Sequence, residues 1–198
     1  MASSRFFVFL YPEPSPEKTY LDLAIYLLNP KEKWPAHVTV AGPFVDRSRF
    51  QITVREYQST VFLYSPSNFF RYEKPTVFLH AGFQELDAIW RKPDFKGSNP
   101  IPHVTLYDGD DKKFARRVFQ MLQETKLSCA FNVRGLHVVE SIPGQYRNDL
   151  QLAAQLDEID ETRGMSHRDV SNLQPRERLR LARIALERIP VTHFPFAS

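Results

Sequence analysis

The sequence predicts an α+β protein built by duplication: two lobes of antiparallel sheet facing a central cleft, helices outside, and a further helix at the C-terminus. Three observations lead there. Compact aromatic and β-branched runs bounded by proline and glycine are interleaved with capped segments of helical spacing. The pattern Ala36-His37-Val38-Thr39-Val40 returns 66 positions later as Pro102-His103-Val104-Thr105-Leu106. A similar strand and helix make-up surrounds each copy, and packed α+β layers are the economical way for two like halves to bury their apolar faces.

The elements follow in order. Arg5 to Tyr11 is an aromatic, β-branched run ended by Pro12, Pro14 and Pro16, the mark of a buried strand. Ser15 then stands as N-cap with Pro16 at the first helical position. That helix runs to about Leu28 on an apolar face of Leu21, Leu23, Ala24, Leu27 and Leu28, and Asn29-Pro30 stops it. The first motif strand, His37 to Val40, is expected to break at Gly42-Pro43, and residues 46–57 fit neither period. Val61–Tyr64 and Thr76–His80 read as strands flanking a loop, Ser65-Pro66-Ser67-Asn68. Leu86, Ile89 and Trp90 give helical spacing over residues 83–90, and a basic loop over 91–97 leads to the second motif.

Beyond that motif, Asp108 to Asp111 cap a helix carrying Phe114, Val118, Met121 and Leu122 to about Glu124. Strands are expected at Leu127–Val133 and Leu136–Glu140, then a turn at Pro143-Gly144-Gln145 and a closing strand near Leu150–Leu152. Composition changes after about Leu156. Residues 157–168 are charged and read as a linker; Pro175 opens a helix over Arg176–Ile189 with Leu179, Ala182, Leu186 and Ile189 on one face. The expected organisation is a two-lobed domain over residues 1–155, followed by a linker and helical extension over 156–198.

With 198 residues the chain can bury a real core. Its net charge of +3 falls entirely within residues 1–155, beside the twin motifs, and suits an anionic substrate. Cys129 is the only cysteine, which excludes an intrachain disulfide and a cysteine metal cluster and fits a reducing compartment. No stretch has the length of a membrane span or the layout of a leader, so a cytoplasmic protein with no membrane partner is expected.

Side chains at i and i+2 of a strand share a face, so each motif presents an imidazole and a hydroxyl side by side. His80, His137, His167 and His193 lack a hydroxyl two residues on, and act as internal controls. Two histidines, one neutral and one protonated, can divide the roles of base and acid in phosphoester chemistry, while two threonine hydroxyls hold the nonbridging oxygens. Asp108, Asp110 and Asp111 read as helix N-terminal carboxylates, so no metal site is expected.

The paired motifs resemble the repeated His-x-Thr/Ser signature of the two-histidine (2H) phosphoesterase superfamily, most of all its cyclic nucleotide phosphodiesterase and RNA 2′,5′-ligase-like branches. Val77-Phe78-Leu79-His80-Ala81-Gly82 and Glu140-Ser141 before Tyr146 sit where that family has similar features, and the likeness covers roughly residues 5–152. It implies catalytic roles for His37, Thr39, His103 and Thr105. It also implies substrate-binding roles for Phe9 on the first strand and Tyr107 just after the second motif; Tyr146 is a further candidate. The implied activity is metal-independent and cofactor-free. It opens a 2′,3′-cyclic phosphate of a small nucleotide or RNA end, or an ADP-ribose 1″,2″-cyclic phosphate. Hydrolysis or ligation of 2′,5′-phosphodiesters, and a non-catalytic nucleotide- or RNA-binding module, are the alternatives.

Overall fold

The computed structural model describes residues 5–30, 34–46, 57–69, 75–83, 89–93, 101–141 and 155–192. The elements are β1 (Arg5–Leu10), α1 (Pro16–Leu28), β2 (Val38–Phe44), β3 (Gln58–Phe69), β4 (Thr76–Phe83), β5 (His103–Asp108), α2 (Lys112–Thr125), β6 (Cys129–Arg134), β7 (His137–Ser141), a 3-10 turn (Asp160–Thr162), α3 (His167–Asn172) and α4 (Pro175–Glu187). Strand pairing is antiparallel throughout, in two sheets of order β2-β1-β7 and β5-β4-β3-β6. The result is the expected two-lobed α+β fold with a C-terminal helix.

The strand order places the motifs. β2 and β5 are each the edge strand of their sheet, and they pack against one another across the junction of the lobes. His37 directly precedes β2 and His103 begins β5. Both motifs therefore meet where one sheet stops and the other starts.

Local chemistry sets the helices. The Ser15 hydroxyl accepts from the Lys18 amide at the start of α1, and the Asp111 carboxylate accepts from the Lys113 and Phe114 amides at the start of α2. α1 is buried on all sides from Leu21 to Leu28, because it is sandwiched between α4 and β5. Such a helix carries a nearly continuous apolar run instead of a stripe.

Two strand expectations change. β2 does not break at Gly42-Pro43 but continues to Phe44, accommodating its extra residues as bulges against β1. Gly42 has φ +111°, and a Cβ there would lie 2.8 Å from the Phe6 carbonyl oxygen. β3 likewise runs straight through the expected loop Ser65–Asn68. β6 pairs with it only from Gln58 to Leu63, so Pro66 lies beyond that partner and next to a register shift, where a missing N–H costs no ladder bond.

The segment expected as a linker is packed. Leu156, Ile159 and Thr162 are buried, and with Val170, Leu181, Ala182, Ala185, Leu186 and Ile189 the apolar ones join the same core as the strands. The Thr192 amide donates to the Ser128 carbonyl at 2.7 Å, tying the end of this region back beside β6. The expectations for residues 47–56, most of the helix over 83–90, the turn at 143–145, the strand near 150–152 and Tyr146 lie outside the described residues.

Candidate active site

The two motifs carry the same hydrogen bond. His37 Nδ1 donates to the Pro35 carbonyl at 2.8 Å, and His103 Nδ1 donates to the Ile101 carbonyl at 2.6 Å. A carbonyl can only accept, so the proton of the neutral ring sits on Nδ1 and the lone pair on Nε2. In each case the acceptor is the backbone two residues upstream, so the segment leading into the strand fixes ring and tautomer together.

The duplication extends to the neighbouring strand. Thr39 faces Phe9 across β2–β1, and Thr105 faces Phe78 across β5–β4. Phe9 lies over the His37 ring at 3.9 Å between centroids, and Phe78 lies 4.9 Å from His103. The sequences Phe9-Leu10-Tyr11 and Phe78-Leu79-His80 occupy equivalent registers: Leu10 pairs with Val38 and Leu79 with Val104. One step further on, Tyr11 lies 6.1 Å from His37, and His80 is the direct cross-strand partner of His103. Among the described residues neither threonine hydroxyl has a hydrogen-bond partner, so both remain open to a ligand.

Burial governs the electrostatics. Loss of solvent pushes His37 down to about 4, against the pull of the Pro35 carbonyl and the negative charge of Asp22. His103 is lowered first by burial and then by the charges of His37 and His80, with the Ile101 carbonyl acting the other way. The charge of His37 thus bears on His103. Tyr11 is raised by burial and by Asp22, so its phenol stays protonated.

Asp22 is a carboxylate of α1 with 1% of its surface exposed. Its Oδ1 accepts from the Ala36 amide at 2.6 Å, next to His37; Lys18 pairs with it, and the Gln155 amide donates to it at 3.3 Å. A helix in one lobe and a residue from beyond the second motif therefore converge on the backbone that positions His37.

The residues singled out from sequence separate into groups. His37, Thr39, His103 and Thr105 lie on or directly before the two edge strands β2 and β5, which pack against one another, and Phe9 lies as a buried support under His37, 3% exposed. Tyr107 stands apart. An extra residue in β5 puts Tyr107 opposite Val77 instead of on the face of Thr105 and Phe78. Its ring packs 5.3 Å from Phe114 on α2, and its hydroxyl accepts from the Asp111 amide at 3.2 Å. Tyr11 and Asp22 carry no role in the sequence reading, and Phe78 and His80 enter it only within the stretch that resembles the family. The repeated Phe-Leu-x triplet and the lone acid inside the apolar run Leu21–Leu28 were the available signals.

The described residues hold no group of three or more His, Cys, Asp or Glu side chains arranged to bind a metal, and no helix long and apolar enough to cross a membrane. No curated protein matches the sequence. The family model described as the 2′-5′ RNA ligase superfamily matches residues 12–145, more than half of the chain, and this span includes both motifs while stopping short of α3 and α4. With the paired His-x-Thr strands duplicated down to their supporting phenylalanines, the chain belongs to the 2′-5′ RNA ligase superfamily of two-histidine phosphoesterases.

Proposed function

We propose that the protein is a metal-independent cyclic phosphodiesterase that opens a 2′,3′-cyclic phosphate of a nucleotide or RNA end, or an ADP-ribose 1″,2″-cyclic phosphate, to a phosphomonoester. The observation that carries this reading is the pair of imidazoles, each held through Nδ1 by the backbone two residues upstream, at the junction of two edge strands.

One histidine takes a proton from water as the oxygen attacks phosphorus. The other, as imidazolium, protonates the departing ribose oxygen. The Thr39 and Thr105 hydroxyls donate to the nonbridging oxygens, where charge builds in the transition state. An anionic diester works against burial: its negative charge favours the imidazolium form that burial disfavours. The family resemblance implies departure of O3′ and a 2′-phosphate product.

The family description supports a second reading, hydrolysis or ligation of 2′,5′-phosphodiesters. A panel of 2′,3′-cyclic nucleotides, ADP-ribose 1″,2″-cyclic phosphate and 2′,5′-linked dinucleotides, incubated with EDTA and read by phosphorus NMR, separates the two. Ring opening of the cyclic substrates is the expected result. Turnover of the 2′,5′ linkage alone favours the second reading. Binding without turnover of any substrate leaves a nucleotide-binding module.

A further inference from the structure

His103, His80 and Tyr64 form one row across β5, β4 and β3, since His80 pairs with His103 and Tyr64 pairs with His80. Cross-strand partners share a face, so Tyr64 stands on the same side of the sheet as His103. Neighbouring strands are about 4.8 Å apart, which puts Tyr64 about 10 Å from His103 along the row.

The Tyr64 ring is held from two sides. It stacks on His80 with centroids 5.7 Å apart and planes 23° from parallel. It also lies close to Gly82, where a Cβ would come within 3.2 Å of its Cε1, so a bare backbone makes room for it. Even so, Tyr64 is 41% exposed. An exposed phenol already held against its neighbours is a stacking platform with little ordering left to do on binding. In the other lobe the strand that corresponds to β3 is β7, and the residue it brings near Tyr11 is His137, 5.2 Å away.

We propose that Tyr64 is a substrate-specificity residue that stacks on the nucleobase of the nucleotide whose phosphate lies between His37 and His103. The inference rests on the function proposed above and names the part of the substrate that this surface reads. A flat aromatic accepts any base by its π-face, so Tyr64 favours nucleotides over base-free cyclic phosphates without choosing strongly among bases.

The test uses the full chain with Tyr64→Ala, Tyr64→Phe and Tyr64→Leu, on adenosine 2′,3′-cyclic phosphate and on glycerol 1,2-cyclic phosphate, which has no base. Loss of one base–aromatic stack should raise KM for the nucleotide about 10- to 100-fold in Tyr64→Ala, with kcat little changed. Tyr64→Phe should stay near wild type and Tyr64→Leu fall between. The gap between wild type and Tyr64→Ala should vanish on the base-free substrate. Equal KM values for wild type and Tyr64→Ala on the nucleotide, or the same rise on both substrates, overturn the proposal. If the wild-type protein opens neither compound, the proposed reaction fails; the subsite is then decided by calorimetric binding of adenosine 2′-monophosphate. Weaker binding by Tyr64→Ala supports the subsite, whereas equal affinity or no binding by wild type overturns it.

Discussion

Asp22 holds the Ala36 amide at 2.6 Å from inside the core, and the next residue in the chain is His37. The carboxylate does two things at once. It fixes the backbone that starts β2, and its charge raises the proton affinity of the imidazole beside it. Asp22→Asn keeps an acceptor for the amide and removes the charge. That variant should fold, and the limb of the pH–rate profile set by His37 should move to lower pH. Asp22→Ala strands a buried N–H and the Lys18 ammonium together, which should cost about 3–5 kcal/mol in urea denaturation. A pH profile unmoved by Asp22→Asn would leave Asp22 as a purely structural group.

The twin hydrogen bonds at Pro35 and Ile101 give the two histidines equal standing, so neither should be dispensable. His37→Ala and His103→Ala should each lower kcat by about 10²–10⁴-fold, the usual worth of a positioned acid or base. The double variant should be little worse than either single one, because the pair acts as a unit. Thr39→Val and Thr105→Val should cost less, since water can replace part of one neutral donor. A near-wild-type rate in either alanine variant rules out shared acid–base catalysis.

Burial sets the pH dependence. The free enzyme holds His37 near 4 and His103 below the ordinary histidine value. The base must be neutral, so activity rises as pH climbs through its pKa; the acid must be charged, so activity falls as pH passes through the other. Because burial depresses both values, the bell in kcat/KM should lie at lower pH than a normal histidine pair would give. A bound phosphodiester anion raises both, so the bell in kcat should lie at higher pH than that in kcat/KM. Coincident bells centred near the unperturbed value of about 6.5 would show that burial does not control the pair.

Helix α4 covers the outer side of α1 with Leu181, Ala182, Ala185 and Leu186, all at most 1% exposed. Leu186→Ala should therefore lower stability by about 2–5 kcal/mol, measured by urea unfolding. The kcat of the folded fraction should hold, because both motifs lie on other elements. Removing residues 171–198 uncovers the apolar run Leu23–Leu28 of α1, so loss of a cooperative unfolding transition is expected. An unchanged Tm in Leu186→Ala would mean that α4 is only loosely docked.

What could be read from the chain was what is local. Ser15 and Asp111 cap their helices with bonds that span two or three residues, and the pattern names them outright. The His-x-Thr pairs were equally visible, because a strand puts i and i+2 on one face whatever surrounds it. What escaped depends on register. Nothing in Leu106-Tyr107 announces the extra residue that turns Tyr107 toward α2. Pro66 signals a break, yet it is tolerated because β6 ends its pairing with β3 at Leu63. The importance of Asp22 becomes plain only once α1 is known to lie beside the start of β2, a contact between residues 14 apart in sequence.

The likeness of the two halves has a cost. A phosphodiester has two interchangeable nonbridging oxygens, and a site assembled from two copies of one strand pair has no built-in sense of front and back. Left to His37, Thr39, His103 and Thr105 alone, a cyclic phosphate could be opened from either side, releasing a mixture of 2′- and 3′-esters. Regiochemistry in the proposed reaction has to be written by the positions where the copies disagree: the carboxylate of Asp22 behind one imidazole, and His80 against Tyr11. Fidelity of the product is then a property of residues that transfer no proton, and it can drift while the four motif residues stay unchanged.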